Sequence, residues 1–326
     1  VRSRMRAYNR FHRHLGSGAP AGAKTSAVGF AFVGGLMVAL VKTAAAVLTG
    51  SASMGAEAVH SWVASVNEGF LVAAYLAARR PADAAHPLGH GRESYVWSLF
   101  ASIGMFIVGA EVGIWRGLRQ LGSSEGTAHY GFGYLVIAGA LAFQGLSFVQ
   151  ALRFVRERAA EREQGIFRHV FESSDSQLRA VVTDDFLALA GLVVAGLGMG
   201  LHQLSGRVAW DALGSILIGL LMGVAGLILV NLNRRYLAGM PIAPERAALA
   251  VRLMKQAPEI ARVTYFFAEY VGPDQVLVLA RVVLAGEHDQ AELARILRGL
   301  EQRIMENKAV VRAVLTLALP EEEGLG

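Results

Sequence analysis

The stretch AEAVHSWVASVNE, Ala56 to Glu68, places Glu57, His60, Asn67 and Glu68 inside an apolar run. On a helix, Glu57, His60, Ala64 and Asn67 stand at steps of three and four and share one face, with Glu68 adjoining it. A later apolar run carries Asp184 and Asp185. These two point about 100° apart on a helix, so only one of them can readily face the first set. Imidazole nitrogen and carboxylate oxygen together suit Zn2+, usually tetrahedral with bonds of about 2.0–2.2 Å. They suit Fe2+, Mn2+ or Co2+ with less preference, and Cd2+ is not excluded. The other reading of these groups is interhelical hydrogen bonding. Ionisable residues at mid-membrane cost about 2.5–3.5 kcal/mol each on insertion scales and usually mark an ion or proton path. Two acidic runs with one histidine therefore favour an ion site. Lys42 and Glu111 read as structural, Lys42 by snorkelling or pairing with an acid, Glu111 by being wetted near the end of its run.

A second group lies in RRPADAAHPLGHGRESYVWS, where Asp83, His86 and His90 are spaced Asp-x2-His-x3-His. Pro87 and Gly89 keep this segment from being a plain helix. One carboxylate and two imidazoles could hold zinc. A structural turn whose histidines cap helix ends fits the same spacing.

The elements that must position these residues follow from composition. Of 326 residues, 54% are hydrophobic and 17% charged, against about one quarter charged in soluble domains. The balance implies a membrane protein with a soluble part attached. With no cysteine in the chain, disulfides and Cys-ligated zinc are excluded. A bilayer crossing needs about 20 apolar residues, and six candidate spans are expected. They cover about Ala27–Leu48, Met54–Ala78, Tyr95–Leu121, Tyr130–Leu152, Leu178–Leu204 and Ala212–Leu232. Arginines cluster in the leader VRSRMRAYNRFHRHLG, between spans two and three, between spans four and five, and after span six. The opposite connections, TGSAS, GSSEGTAH and SGRVAWD, are short and nearly neutral. The positive-inside rule then places both termini in the cytoplasm. The first apolar run is a full span without a cleavage-like end, so the leader is not expected to be a signal peptide. Helical spans imply an inner membrane rather than an outer-membrane barrel, with lipid as surroundings.

From about Ala243 the pattern changes. PERAALAVRLMKQAP reads as a helix, ARVTYFFAEYV and QVLVLARVVL as strands joined by the turn GPD, DQAELARILRGLEQRIMEN as a helix with Asp289 as N-cap, and AVVRAVLTLAL as a last strand. This αββαβ order suggests a small ferredoxin-like domain. The expected organisation is a basic N-terminal segment over 1–26, a six-helix domain over 27–235 and a cytoplasmic domain over 236–326. No nucleophile–base motif and no P-loop is present, so an enzyme is not expected, nor is a nucleic-acid partner.

Several of these stretches together resemble the cation diffusion facilitator family. TGSASMGAEAVHSW is similar to its second-span entry, RPADAAHPLGHGRESYVWSLFASIG to its loop and third span, WDALGSILIGLL to its sixth-span entry and VGPDQVLV to its soluble hairpin. The resemblance is strongest to the zinc-transporter branch that includes mitochondrial-type members and many bacterial relatives. It implies a six-span metal–proton antiporter, a cytoplasmic ferredoxin-like domain, a homodimer, and a transport site between spans two and five. Carried over, His60 and Asp185 are implied as ligands, with Asp184 at the other acidic position. Val181 stands where other branches place a histidine. The branch's span-two Asp position holds Ala64. Asn67 or Glu68, Asp184, or water would then complete the site. The spacing of Asp83, His86 and His90 is similar to a second zinc site of some members. Some members also bind metal in the soluble domain, but here its one histidine is His288, so no zinc is expected there. The function implied is export of Zn2+ by alternating access, with protons exchanging at His60, since metal and proton compete for one nitrogen. The change at Ala64 keeps a second expectation open, a transport-incompetent relative acting as a dimeric metal-binding or regulatory partner.

Overall fold

The computed structural model describes residues 21–78, 80–122, 129–161, 165–166, 170–171, 174–319 and 321–325, with side chains from Gly34 onward except Arg158, Glu161 and Gln177. The basic leader, the connection over 123–128, and Arg79, Arg162 and Arg168 lie outside the described residues. The chain divides into a helical unit and a smaller unit formed by the 77–93 segment with residues from Arg235 onward.

The helical unit contains α1 (Ala21–Thr49), α2 (Ala52–Ala78), α3 (Glu93–Leu121), α4 (Tyr130–Glu161), α5 (Ser176–Ser205) and α6 (Ala209–Leu237). Long apolar runs form helices because only a helix satisfies every backbone polar group within its own segment. Helix α1 starts at Ala21, ahead of the expected Ala27. Among the described residues, four helices are long and apolar enough to cross a membrane: Glu93–Leu121, Tyr130–Glu157, Leu178–Ser205 and Ala209–Leu237. The described apolar part of α1, Gly34–Thr49, is shorter than the about 20 residues a crossing takes. Helix α2 has the length, 27 residues, but Glu57, His60, Asn67 and Glu68 lower its apolarity. On the described residues, length and composition match four of the six expected spans.

Met54, Met105, Leu192, Met199, Ile218 and Met222 form the centre of the unit's apolar core. Large side chains such as Leu135, Leu197 and Leu204 point outward, as lipid-facing positions do. Helices α3 and α6 meet along a glycine seam. A Cβ placed on Gly113 would lie 2.8 Å from the Gly219 Cα, and one on Gly219 would lie 2.8 Å from the Ile114 nitrogen. Small residues at such a crossing let two backbones touch. In the middle of α3, Met105–Gly109 widens to a π-turn, a local irregularity frequent at functional sites.

The smaller unit holds α7 (Pro244–Met254), β1 (Ile260–Gly272), β2 (Gln275–Leu284), α8 (Gln290–Met305) and β3 (Val310–Leu317). This is the expected αββαβ order. The sheet runs β1-β2-β3, with β1 antiparallel and β3 parallel to β2. In β2, Val276, Val278, Ala280 and Val282 alternate into the interior. Val251, Val263, Leu300 and Leu315 close the core around them. The Asp289 carboxylate accepts from the Glu292 N–H at 2.7 Å, capping α8. Helix α7 ends at Met254, short of the expected reach to Pro258, because the chain turns into β1.

Candidate functional site

Two acidic neighbours on α5 point to different helices. His60 Nε2 on α2 lies 3.3 Å from Asp184 Oδ1. Asp185 instead accepts from the Ser147 hydroxyl on α4 at 3.2 Å. The resemblance implies His60 and Asp185 as ligands with Asp184 at the other acidic position; in the structure the carboxylate that faces His60 is that of Asp184. The physical reason is the 100° step between successive helical residues. Two donors bound to one tetrahedral ion at about 2.0–2.2 Å stand about 3.4 Å apart. The 3.3 Å between His60 and Asp184 suits a single bridging cation.

Other carboxylates surround this pair. Glu68 interacts electrostatically with Asp184 and Asp185, and its buried Oε2 has no hydrogen-bond partner among the described residues. Gly35 on α1 leaves it room, since a Cβ there would come 3.0 Å from that oxygen. Ala64 and Asn67 are half-buried on the same helix. Among the described residues Asn67 makes no hydrogen bond to His60 or Asp184. Among the described residues, no third His, Asp or Glu joins His60 and Asp184 in a set of ligand atoms all within 4.8 Å of one another.

Lys42, expected to snorkel or pair with an acid, forms a buried ion pair with Glu57, a residue of the face read as the ion site. Lys42 Nζ donates to Glu57 Oε2 at 2.8 Å, with side chains 1% and 0% exposed. Glu57 Oε1 lies 3.9 Å from His60 Nδ1. A glycine at 191 on α5 accommodates Glu57, because a Cβ there would collide with Oε1. Sequence reasoning also missed Asp211. This fully buried carboxylate accepts from Ser51 Oγ at 2.7 Å, from the Ala52 N–H at 2.8 Å, from Ser53 Oγ, and from Gln120 Nε2 at 3.1 Å. It holds the first turn of α2 by satisfying donors that a helix start leaves open. No local signal in the sequence could have found it, because Asp211 stands about 160 residues from these serines.

In the loop before α3, Asp83, His86 and His90 come together. Each offers a ligand atom, and the three atoms lie within 4.8 Å of one another. Asp83 Oδ1 is 3.1 Å from His86 Nδ1, and Asp83 Oδ2 is 3.1 Å from His90 Nε2. The Ala85 and His86 backbone N–H groups also donate to Asp83 Oδ1, at 2.9 and 2.7 Å. Gly89 takes a φ of +76°, which the return of the chain requires and glycine accepts. The His90 hydrogen bond, then that from the His86 backbone, holds the Asp83 carboxyl down at about 2. The carboxylate is therefore available as a ligand at any physiological pH. The next residues pin the loop to the sheet: Arg92 donates to Glu269 Oε1 at 2.7 Å, and Gly91 sits against the backbone of Val271 and Gly272. His288 is held locally by the Ala285 carbonyl and Glu292.

A family model described as the cation efflux transmembrane domain matches residues 28–238. The mouse mitochondrial proton-coupled zinc antiporter SLC30A9 is 29% identical over 240 residues, covering 74% of this chain and 42% of that protein. Metal tolerance protein C4 of Arabidopsis thaliana is 28% identical over 232 residues, 71% of this chain and 51% of that one. The putative transporter MamV of Paramagnetospirillum magneticum is 28% identical over 190 residues, 57% and 51% of the two chains. The chain spans about half the length of these curated relatives.

Proposed function

We propose a function from one premise: this chain belongs to the cation efflux, or cation diffusion facilitator, family of membrane metal transporters, and is not an enzyme. On our reading it exports Zn2+ from the cytoplasm in exchange for protons by alternating access. The observation that carries this reading is the 3.3 Å approach of His60 Nε2 to Asp184 Oδ1. It brings a proton-exchangeable nitrogen and an anionic oxygen to the separation of two donors on one ion. Glu68 supplies the carboxylate that Ala64 lacks, one turn further along α2, and Asp185 adds negative charge beside it. A site with two donors already paired and further acids close by suits a cargo that must leave again. Its acids also favour transport over the regulatory reading that Ala64 raised.

The rest of the proposal follows. Helices α1 to α6 are the six spans of a domain over 27–235, after a basic segment over 1–26. The αββαβ unit over 236–326 is a ferredoxin-like domain in the cytoplasm with both termini, and two copies pair into a homodimer. The membrane is a bacterial inner membrane. Asp83, His86 and His90 hold a second Zn2+, for which the 3.1 Å spacings of the donor atoms are suitable. Zn2+ uptake into proteoliposomes under an imposed pH gradient tests the main reading. We expect flux that needs the gradient and is lost in His60→Ala. Absence of flux for Zn2+, Mn2+, Fe2+, Co2+ and Cd2+ alike overturns it.

A further inference from the structure

We infer that Glu57, anchored by Lys42, is a positioning residue that fixes the ring of His60 so that Nε2 is presented to the transported cation. The inference rests on the reading that His60 and Asp184 seat that cation.

The imidazole is strung between two carboxylates, one for each nitrogen. Nε2 faces Asp184 at 3.3 Å, and Nδ1 faces Glu57 Oε1 at 3.9 Å. Both Nδ1 and Oε1 are buried, and neither has a hydrogen-bond partner among the described residues. A buried polar atom left without a partner is costly, and here each is the other's available partner. An approach of about 1 Å would bring them to ordinary hydrogen-bond distance. Metal-bound histidines characteristically donate their second ring N–H to a carboxylate, which fixes tautomer and orientation.

Lys42 explains how a carboxylate can stand there. It engages Oε2 at 2.8 Å, which balances the charge and leaves Oε1 turned toward the histidine. Gly191 completes the arrangement from α5, since any side chain on its Cα would collide with Oε1. As an anion, Glu57 can accept but not donate. A proton on neutral His60 is thereby directed to Nδ1, and the Nε2 lone pair is left toward Asp184.

The test uses the full chain with the loop site removed by His86→Ala and His90→Ala, so that calorimetric Zn2+ binding reports the helical unit. The double substitution Lys42→Met with Glu57→Leu removes the acceptor without stranding a charge. It should weaken Zn2+ binding about 10–100-fold, as loss of an outer partner of a metal-bound histidine does. Lys42→Arg should bind as the native chain does. The 15N signals of neutral His60 should show the Nδ1–H tautomer in the native chain and a mixture in the double variant. Unchanged Zn2+ affinity in the double variant, or an Nε2–H tautomer in the native chain, overturns the positioning role. The tautomer readout holds even for a variant that folds poorly, because it is taken on the native protein. Zn2+ binding that survives His60→Ala overturns the underlying reading instead, and the inference with it.

Discussion

Replacing Lys42 alone with methionine leaves Glu57 charged and without its partner in the interior of the helical unit. The two side chains are 1% and 0% exposed and 2.8 Å apart. At that distance, with an effective dielectric constant of about 20, the attraction is about 6 kcal/mol. Desolvation offsets part of it, and orphaning one member of a buried pair costs about 3–5 kcal/mol in practice. Lys42→Met should therefore destabilise the protein by about 3–5 kcal/mol. Substituting Glu57→Leu as well should recover most of the loss, because a neutral apolar pair of similar volume is often as stable as a buried ion pair. Reversible denaturant unfolding in detergent, read on native, single and double variants, gives the cycle. A single variant within about 1 kcal/mol of native would place the pair in the weak class of exposed ion pairs. Lys42 would then contribute no more to holding Glu57 than a solvated partner does.

Three further outcomes follow from other parts of the structure. Gly219→Val puts a branched side chain where even a Cβ would lie 2.8 Å from the Ile114 nitrogen on α3. It should cost about 1–3 kcal/mol by overpacking, measured by the same unfolding assay. The Asp83 carboxyl should titrate at about 2 rather than at its ordinary 3.8. Because its folded value is depressed, its contribution to loop stability is present above about pH 4 and is lost as pH falls through about 2. A carboxyl 13C midpoint near 3.8 would contradict the hydrogen bonds assigned to it. Asp289→Ala removes the α8 cap and should cost about 1 kcal/mol; an unchanged midpoint of unfolding would contradict the capping role.

Much of this was legible in the sequence where the signal is local. The apolar runs locate α2, α3, α5 and α6 to within about five residues, since helix length in lipid is set by bilayer thickness, whereas α4 continues past the expected Leu152 to Glu161. The αββαβ order follows from alternation and turn chemistry in one short segment. Asp83, His86 and His90 meet because their spacing lies within a single turn of chain. Long-range pairing was not legible. Sequence could say that only one of Asp184 and Asp185 faces α2, but not which, because that depends on the rotation of α5 against its neighbours. Lys42 could be seen to need an acid, yet Glu57 stands on another helix and also belonged to the face read as the ion site. Asp211 meets Ser51 and Ser53 from about 160 residues away, and no periodicity records such a contact.

On the proposed function the transported cation sits between His60 and Asp184. Anomalous diffraction at the zinc edge from crystals of the Zn2+-loaded protein tests it most directly. A peak is expected in the helical unit within about 2.0–2.2 Å of both His60 Nε2 and an Asp184 oxygen. A peak bound by Asp185 without Asp184, or no peak between α2 and α5 in fully loaded protein, would contradict it.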